Sequence, residues 1–300
     1  MVYIELNGRL GNHLFQIATA ASLAKKNNCE YAVVCHDKYL LSEPDNCTIY
    51  EYIQQFKSNF FKNVTILNNV PEECVAFNQE SFLFEPIKYV NNIYLLGTFQ
   101  SEKYFDAEIV RKQFQIPADL KESLQKRYDH LLSKGVTSIN VRRGDYLNRP
   151  HEYNITSMSF FKKAINYVGK NNSFLIISDD IEWCKKHFKG SNFYFANNSS
   201  PLEDLFLQTL CKNNIISNST FSWWGAWLNE NPDKMVVVPS PWFSKSLAFN
   251  RTDDLIPQNW IKIENKMSFD MKIKMYKILA KKFIKSKVED FNRPKQLVTN

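Results

Sequence analysis

Asn214-Ile215-Ile216-Ser217-Asn218-Ser219-Thr220-Phe221-Ser222-Trp223-Trp224-Gly225-Ala226-Trp227-Leu228 carries the transition that decides the fold. The short apolar run reads as the end of a strand and the small hydroxyl residues as a turn. The aromatic segment, at helical spacing, reads as a helix over 220–229. A strand that turns directly into a helix leaves unpaired backbone N–H groups at the helix start, with roughly half a positive charge. Such a start, here at Ser219 and Thr220, attracts phosphate. Trp223, Trp224 and Trp227 are expected in the core, the last two on one helix face.

Outward from this stretch, strands and helices alternate. The pattern predicts strand 136–141, helix 158–168, strand 174–178, helix 181–187, strand 193–195, helix 202–212, strand 214–217, helix 220–229 and strand 235–238. Such alternation implies a parallel sheet covered on both faces, with ligands bound beyond the carboxyl ends of its strands. A second phosphate-seeking element, Asn140-Val141-Arg142-Arg143-Gly144-Asp145-Tyr146, falls at one of those ends. Ser178-Asp179-Asp180 falls at another. Two anion sites at strand ends point to a bound nucleoside diphosphate.

The first part of the chain has the same grammar. Residues 2–6 read as a strand, Gly8-Arg9-Leu10-Gly11-Asn12 as a tight turn, and a helix runs to about Lys26. Further strands are expected at 31–34 and 93–97, a helix start near Ser101, and an amphipathic helix over 119–133. From about 40 to 92 the aromatics and short strand-like pieces define no topology. The expected division is an acceptor-side α/β domain over 1–134, a nucleotide-binding Rossmann-like domain over 135–265, and a basic helix and tail over 266–300. Lys134-Gly135 serves as the hinge.

Residue chemistry gives several of these elements two readings. Arginine presents a fixed fork of donors that suits phosphate, and Asp145 can hold one fork through a bidentate pair. Arg142-Arg143 with Asp145 is otherwise a surface turn with a solvated salt bridge. Gly8 to His13 can turn backbone N–H groups toward a ligand, or is a plain strand-to-helix turn, because the full Gly-x-Gly-x-x-Gly spacing is missing. Asp179 and Asp180 can bind ribose hydroxyls or cap the next helix, and Asp204 has the same ambiguity. No His or Cys cluster has metal-ligand spacing, and there is no Walker loop or Gly-x-Ser-x-Gly elbow.

Bulk composition narrows the class. With 300 residues, 44% apolar and 23% charged, the chain has material for about two globular domains. The net charge of +7 favours anionic partners, yet much of the excess lies in the last thirty-odd residues, so nucleic acid is not an expected partner. The six cysteines are scattered and no signal-like segment opens the chain, so a reducing, cytoplasmic location is expected. No apolar window is long enough to span a bilayer. Met271, Met275, Ile278 and Leu279 share a face of a helix rich in lysine. Residues 270–288 therefore read either as a peripheral membrane contact at the inner face or as a helix packed on the body with solvated lysines.

Four segments together resemble the alpha-1,2-fucosyltransferases of glycosyltransferase family eleven. They are Gly8 to Gln16, Gly97 to Phe105, Val141 to Tyr146 and Ser217 to Leu228, within a likeness spanning roughly residues 1–245. The resemblance implies an α/β, GT-B-like fold of two Rossmann-like domains facing a cleft. It also implies an inverting enzyme that needs no metal or other cofactor. Such an enzyme moves L-fucose from GDP-fucose to the 2-hydroxyl of a terminal beta-galactoside, on a glycan that can be lipid-linked, in O-antigen or capsule synthesis.

Carried onto this sequence, the resemblance makes Arg142 and Arg143, with Asp145, the catalytic set around the GDP phosphates, assisted by Ser219 and Thr220. Asp204 resembles the carboxylate that pairs with guanine. Gly8, Arg9, Gly11, Asn12, Asn140, Asp179, Asp180, Asn218 and Phe221 complete the expected donor site. His13, Gln100 and Glu152 are expected on the acceptor side. Asn140 stands where the family has His, and Arg9 and His13 stand where it has Gly and Gln. Inversion needs a group that takes the acceptor proton, with Asp145, His13 and Glu152 as candidates.

Overall fold

Period-two alternation along short apolar strands sorts side chains onto two faces, and the chain uses this to build two parallel sheets. The structure is a computed structural model that describes residues 1–36, 47–197, 200–244 and 251–292. The first sheet takes β1 (Val2–Glu5), β2 (Tyr31–Val34), β3 (Thr65–Leu67), β4 (Val75–Asn78) and β5 (Ile93–Leu96), in the order β3-β2-β1-β5-β4. Helices α1 (Leu10–Lys26), α2 (Ile49–Lys57), α3 (Ala107–Gln113) and α4 (Ala118–Leu132) accompany it in sequence.

The second sheet takes β6 (Thr137–Val141), β7 (Phe174–Ser178), β8 (Phe193–Phe195), β9 (Asn213–Ile215), β10 (Val236–Ser240) and β11 (Ile261–Glu264), in the order β11-β10-β9-β6-β7-β8. Between its strands run α5 (Met158–Val168), α6 (Ile181–His187), α7 (Pro201–Thr209) and α8 (Thr220–Trp227), and α9 (Phe269–Asn292) follows. Every strand pair in both sheets is parallel. The architecture is α/β and GT-B-like, two Rossmann-like sheets facing a cleft.

The alternation decides which core each residue joins. Val2 and Ile4 of β1, Leu175 and Ile177 of β7, and Val236 and Val238 of β10 enter one large core that runs between the two sheets. Tyr3 faces a small outer cluster, and Phe174, Ile176 and Val237 face the outer core of the second sheet. Local signals set the helix ends. Thr48 and Ser200 form capping boxes with Glu51 and Glu203. Lys234, held down to about 8 by burial and by Arg111, donates to the carbonyls of Ala226 and Trp227 at the end of α8.

Expectation and structure part in three places. The stretch from 47 to 92 yields α2, β3 and β4, whose strands are short and largely exposed, so no apolar pattern announced them. The edge strand β11 is half-exposed in alternation and was missed for the same reason. The helix start near Ser101 is a single 3-10 turn, Glu102–Tyr104, with α3 following after a break. In addition, α4 lies in the segment assigned to the first half but bonds to the second. Tyr128 Oη accepts from Asn197 N at 3.0 Å, and Arg127 pairs with Glu203 at 2.7 Å.

The halves meet where α1 crosses the start of α8. Gly8 takes φ +71°, a left-handed conformation that glycine adopts at no steric cost. Gly11 touches α8 so closely that an added Cβ would overlap Phe221 N and lie 2.5 Å from Thr220 Oγ1. Trp224 Nε1 donates to Gly11 O at 3.0 Å. Asn12 Oδ1 accepts from Thr220 Oγ1 at 3.1 Å and from Gln100 Nε2 at 3.2 Å. Phe15 packs on Trp223 and Trp224 with ring centroids 4.5 and 4.8 Å apart, and Phe105 stacks on Trp224 at 5.3 Å.

His13 belongs to this seam and not to an acceptor site. It is fully buried beside Tyr52, edge to face at 5.7 Å, and neither ring nitrogen reaches hydrogen-bonding geometry. Burial pushes its imidazole down to about 4, with the Gly8 backbone weakly opposing.

Two outcomes are expected. In Gly11→Ala the new methyl meets backbone that cannot yield, so unfolding by urea should occur about 1–3 kcal/mol more easily, without loss of secondary structure. An unchanged midpoint would show that the seam gives way. His13 is neutral in the folded chain and ionises at its ordinary value near 6.5 when unfolded. Its contribution is therefore complete above that pH and is lost as pH falls toward about 4, at about 1.4 kcal/mol per pH unit. His13→Gln should flatten this part of the acid slope. Urea midpoints at about pH 7 and about pH 5 for both proteins decide it, and parallel slopes refute it.

Candidate active site

The carboxyl ends of β1, β6 and β7 and the start of α8 open into one cleft of about 970 Å3. Its position follows the general rule for open parallel sheets. Ser217 ties two of these ends together. Its Oγ donates to Asn140 O at 2.8 Å and accepts from Arg142 N at 3.0 Å, so the end of β6 is fixed against the turn that opens α8.

Arg142 is the cationic centre of the cleft. Its guanidinium pairs with Asp145 on one side and with Asp179 Oδ2 at 2.8 Å on the other. Burial alone would lower its pKa, but Asp179 and Asp145 raise it above the ordinary arginine value, so the charge is permanent. Beside it, Ser219 caps α8 without spending its side chain on the helix, and the first turn of α8 lines the same cleft. A fixed guanidinium next to a helix N-terminus suits a diphosphate.

An aromatic and arginine ladder continues the wall. The ring of Tyr146 stacks on Tyr153 at 3.8 Å and 7°, Arg142 lies 5.4 Å from the Tyr146 ring, and Arg149 lies 5.4 Å from Tyr153. Tyr146 Oη donates to Asn218 O at 3.2 Å, which anchors the ladder to the turn before α8. Burial raises the Tyr146 phenol far above its ordinary value, so it stays protonated as a donor.

Of the expected donor residues, the cleft brings together Gly8, Arg9, Gly11, Asn12, Asn140, Arg142, Asp145, Asp179, Asp204, Ser219, Thr220 and Phe221. Thr220 and Asn12 also bond each other across the seam, so their side chains serve the junction as well as the wall. Asp204 sits in the first turn of α7 and also lines the cleft.

One residue of the expected catalytic set, Arg143, and two of the expected donor site, Asp180 and Asn218, fall behind the wall. Arg143 points away from the cleft, with Nε on Asp180 Oδ2 at 3.0 Å and its guanidinium 3.8 Å over Trp183. Asp180 caps α6 by accepting from Trp183 N at 3.2 Å. Its carboxylate is thus taken up by the cap and by Arg143. Asn218 is buried, accepting from Thr156 Oγ1 at 3.1 Å and donating to Trp242 O at 2.8 Å. It braces a loop.

None of the three residues expected on the acceptor side lines the cleft. His13 is in the seam, and Gln100 is buried on Asn12. Glu152 lies behind Arg149, paired with it and 3.2 Å from His151 Nε2. These residues were chosen for their chemistry within motifs, and their directions depend on contacts distant in sequence.

The sequence reading also missed residues that line the cleft. Glu5 ends β1, and its Oε2 accepts from Tyr94 Oη at 2.6 Å and lies 3.5 Å from His36 Nε2. The strand-end rule that selected Asp179 would have selected Glu5 as well. Tyr52, Gln55, Arg149 and Tyr153 also line the cleft, with no motif to mark them. Among the described residues, no group of three or more His, Cys, Asp or Glu side chains is gathered to hold a metal ion.

Comparison with known proteins agrees with this geometry. The O-antigen biosynthesis glycosyltransferase WbnK of Escherichia coli is 29% identical over 87% of this chain and 100% of its own length. An alpha-1,2-colitosyltransferase of Escherichia coli is 28% identical over 88% of this chain and 99% of its own. The galactoside 2-alpha-L-fucosyltransferase SEC1 of Bos taurus is 25% identical over 75% of this chain and 63% of its own. Residues 1–264 match glycosyl transferase family 11, and the chain belongs to that family.

Proposed function

We propose that this protein transfers L-fucose from GDP-fucose to the 2-hydroxyl of a terminal beta-galactoside during synthesis of a bacterial surface glycan, with inversion and without a metal. The observation that carries the reading is Arg142, held between Asp145 and Asp179 beside the open N-terminus of α8. A leaving pyrophosphate needs its charge met as the glycosidic bond breaks, and preorganised donors of this kind supply that. The names of three relatives support the parts: O-antigen synthesis in one, alpha-1,2 transfer in the second, and fucose placed on a galactoside in the third.

In this reading the acceptor oxygen attacks the anomeric carbon from the side opposite GDP. The bond from that carbon to the β-phosphate oxygen breaks, GDP leaves with the electron pair, and the hydroxyl proton passes to a carboxylate. Asp145 is tied to the Arg142 guanidinium, whereas Glu5 is held by a phenol and lies beside an imidazole, so the proton acceptor is assigned to Glu5. Glu5 lines the first-sheet wall, with Tyr94 donating to it and His36 Nε2 3.5 Å away. A related reading, a deoxy sugar other than fucose on the same donor pocket, is favoured by the colitosyltransferase relative.

Incubation with GDP-fucose and a panel of galactosides, followed by linkage analysis, should give an alpha-1,2 product at a rate that EDTA leaves unchanged. A strict metal requirement, or transfer to another hydroxyl, would overturn the corresponding part. Arg142→Ala should lose roughly a hundredfold to a thousandfold in kcat, together with GDP affinity. Glu5→Gln should lose roughly a hundredfold or more in kcat while GDP still binds as before. Full turnover by Glu5→Gln removes the proton role from Glu5 and leaves the donor assignment standing.

A further inference from the structure

The family match ends at residue 264, and α9 begins at Phe269, so this helix lies beyond the shared catalytic body. A relative aligned over its whole length still leaves part of this chain uncovered. None of the α9 residues belongs to a hydrophobic core cluster among the described residues. Of the apolar face picked out from the sequence, Met271, Met275 and Ile278 are half-buried, but Leu279 is exposed and belongs to the other side. The opposite face carries the anomaly. Phe269, Ile273, Tyr276, Leu279, Phe283 and Ile284 are between 37% and 75% exposed and form one stripe at three- and four-residue spacing.

Charge decides what covers the stripe. At helical spacing, exposed Lys277, Lys281 and Lys274 flank the stripe on one side, and exposed Lys272 stands near its other margin, beside Leu279. Lys282, Lys285 and Lys287 follow in sequence, and no acidic residue stands between Asp270 and Glu289. A second copy docked on this stripe would bring two lysine rows together with no carboxylate between them, which is unfavourable. An anionic lipid surface supplies both needs, acyl chains for the rings and phosphates for the ammonium groups. No helix among the described residues is long and apolar enough to cross a membrane, so contact with a bilayer would be along its surface.

We propose that α9 is a membrane-surface anchor. Its Phe269, Ile273, Tyr276, Phe283 and Ile284 stripe enters the boundary between headgroups and acyl chains, and its lysines sit on anionic lipid phosphates. This is independent of which sugar the cleft transfers.

The full chain is tested by flotation with vesicles of phosphatidylcholine alone and of phosphatidylcholine mixed with phosphatidylglycerol. Binding is expected on the anionic vesicles, weakening as salt rises, and not on the neutral ones. Lys274→Gln, Lys277→Gln and Lys281→Gln combined should weaken partitioning by about a hundredfold. Tyr276→Asp with Phe283→Asp should remove it. Both variants should melt close to the temperature of the parent, because none of the substituted side chains joins a hydrophobic core cluster among the described residues. The proposal fails if the parent chain ignores anionic vesicles, if it binds neutral ones equally, or if either variant partitions like the parent. It also fails if light scattering finds a dimer that Phe283→Asp splits while vesicles are left unbound, which would make the stripe a self-association face.

Discussion

The close approach of two backbones, Gly11 on α1 and Phe221 on α8, is the constraint from which the site follows. It leaves no room for a side chain, and in return the first turn of α8 sits beside the loop that leaves β1. Trp224 secures the approach by donating to Gly11 O, and Asn12 accepts from Thr220 across the same gap. The large aromatics on both sides then close into a single hydrophobic core to which both halves contribute. The anion site gains from this. A helix N-terminus is useful only if it stays aimed, and here it is wedged in place.

Arg142 shows how the cleft keeps a strong cation ordered through partners of its own chain. Asp145 and Asp179 hold the guanidinium from two sides, and Tyr146 lies beneath it. A buried arginine without partners would cost several kcal/mol, whereas a paired one costs little and cannot lose its proton. Arg143 repeats the logic one layer back. By holding Asp180 and stacking on Trp183, it braces the strand end on which Asp179 sits. The arginine pair thus divides its labour between the wall and its support.

The sequence made the inner strands of the second sheet legible, because β6, β7, β9 and β10 are almost wholly buried, whereas the half-exposed edge strand β11 gave no such signal. Expected strand 174–178 and helix 181–187 coincide with β7 and α6. The motif turns were legible too, since small hydroxyl residues and arginines at strand ends have few other uses. What the sequence withheld was direction. Arg142 and Arg143 are adjacent and chemically identical, and only contacts with residues some 36 positions on sort them to opposite sides of the wall. His13 looked like a ligand in a glycine loop, yet the helix turns it inward against Tyr52. Glu5 had no motif to announce it. The short exposed strands β3 and β4 carried no periodicity and gained their place by pairing alone.

Five of the six tryptophans, Trp223, Trp224, Trp227, Trp242 and Trp260, lie buried in the core shared by the two sheets, and three of them stand on one helix. Indole emission shifts to longer wavelength when water reaches the ring. Any event that pries the halves apart would wet most of these fluorophores together. The protein therefore carries an intrinsic optical gauge of its own closure, readable without a label.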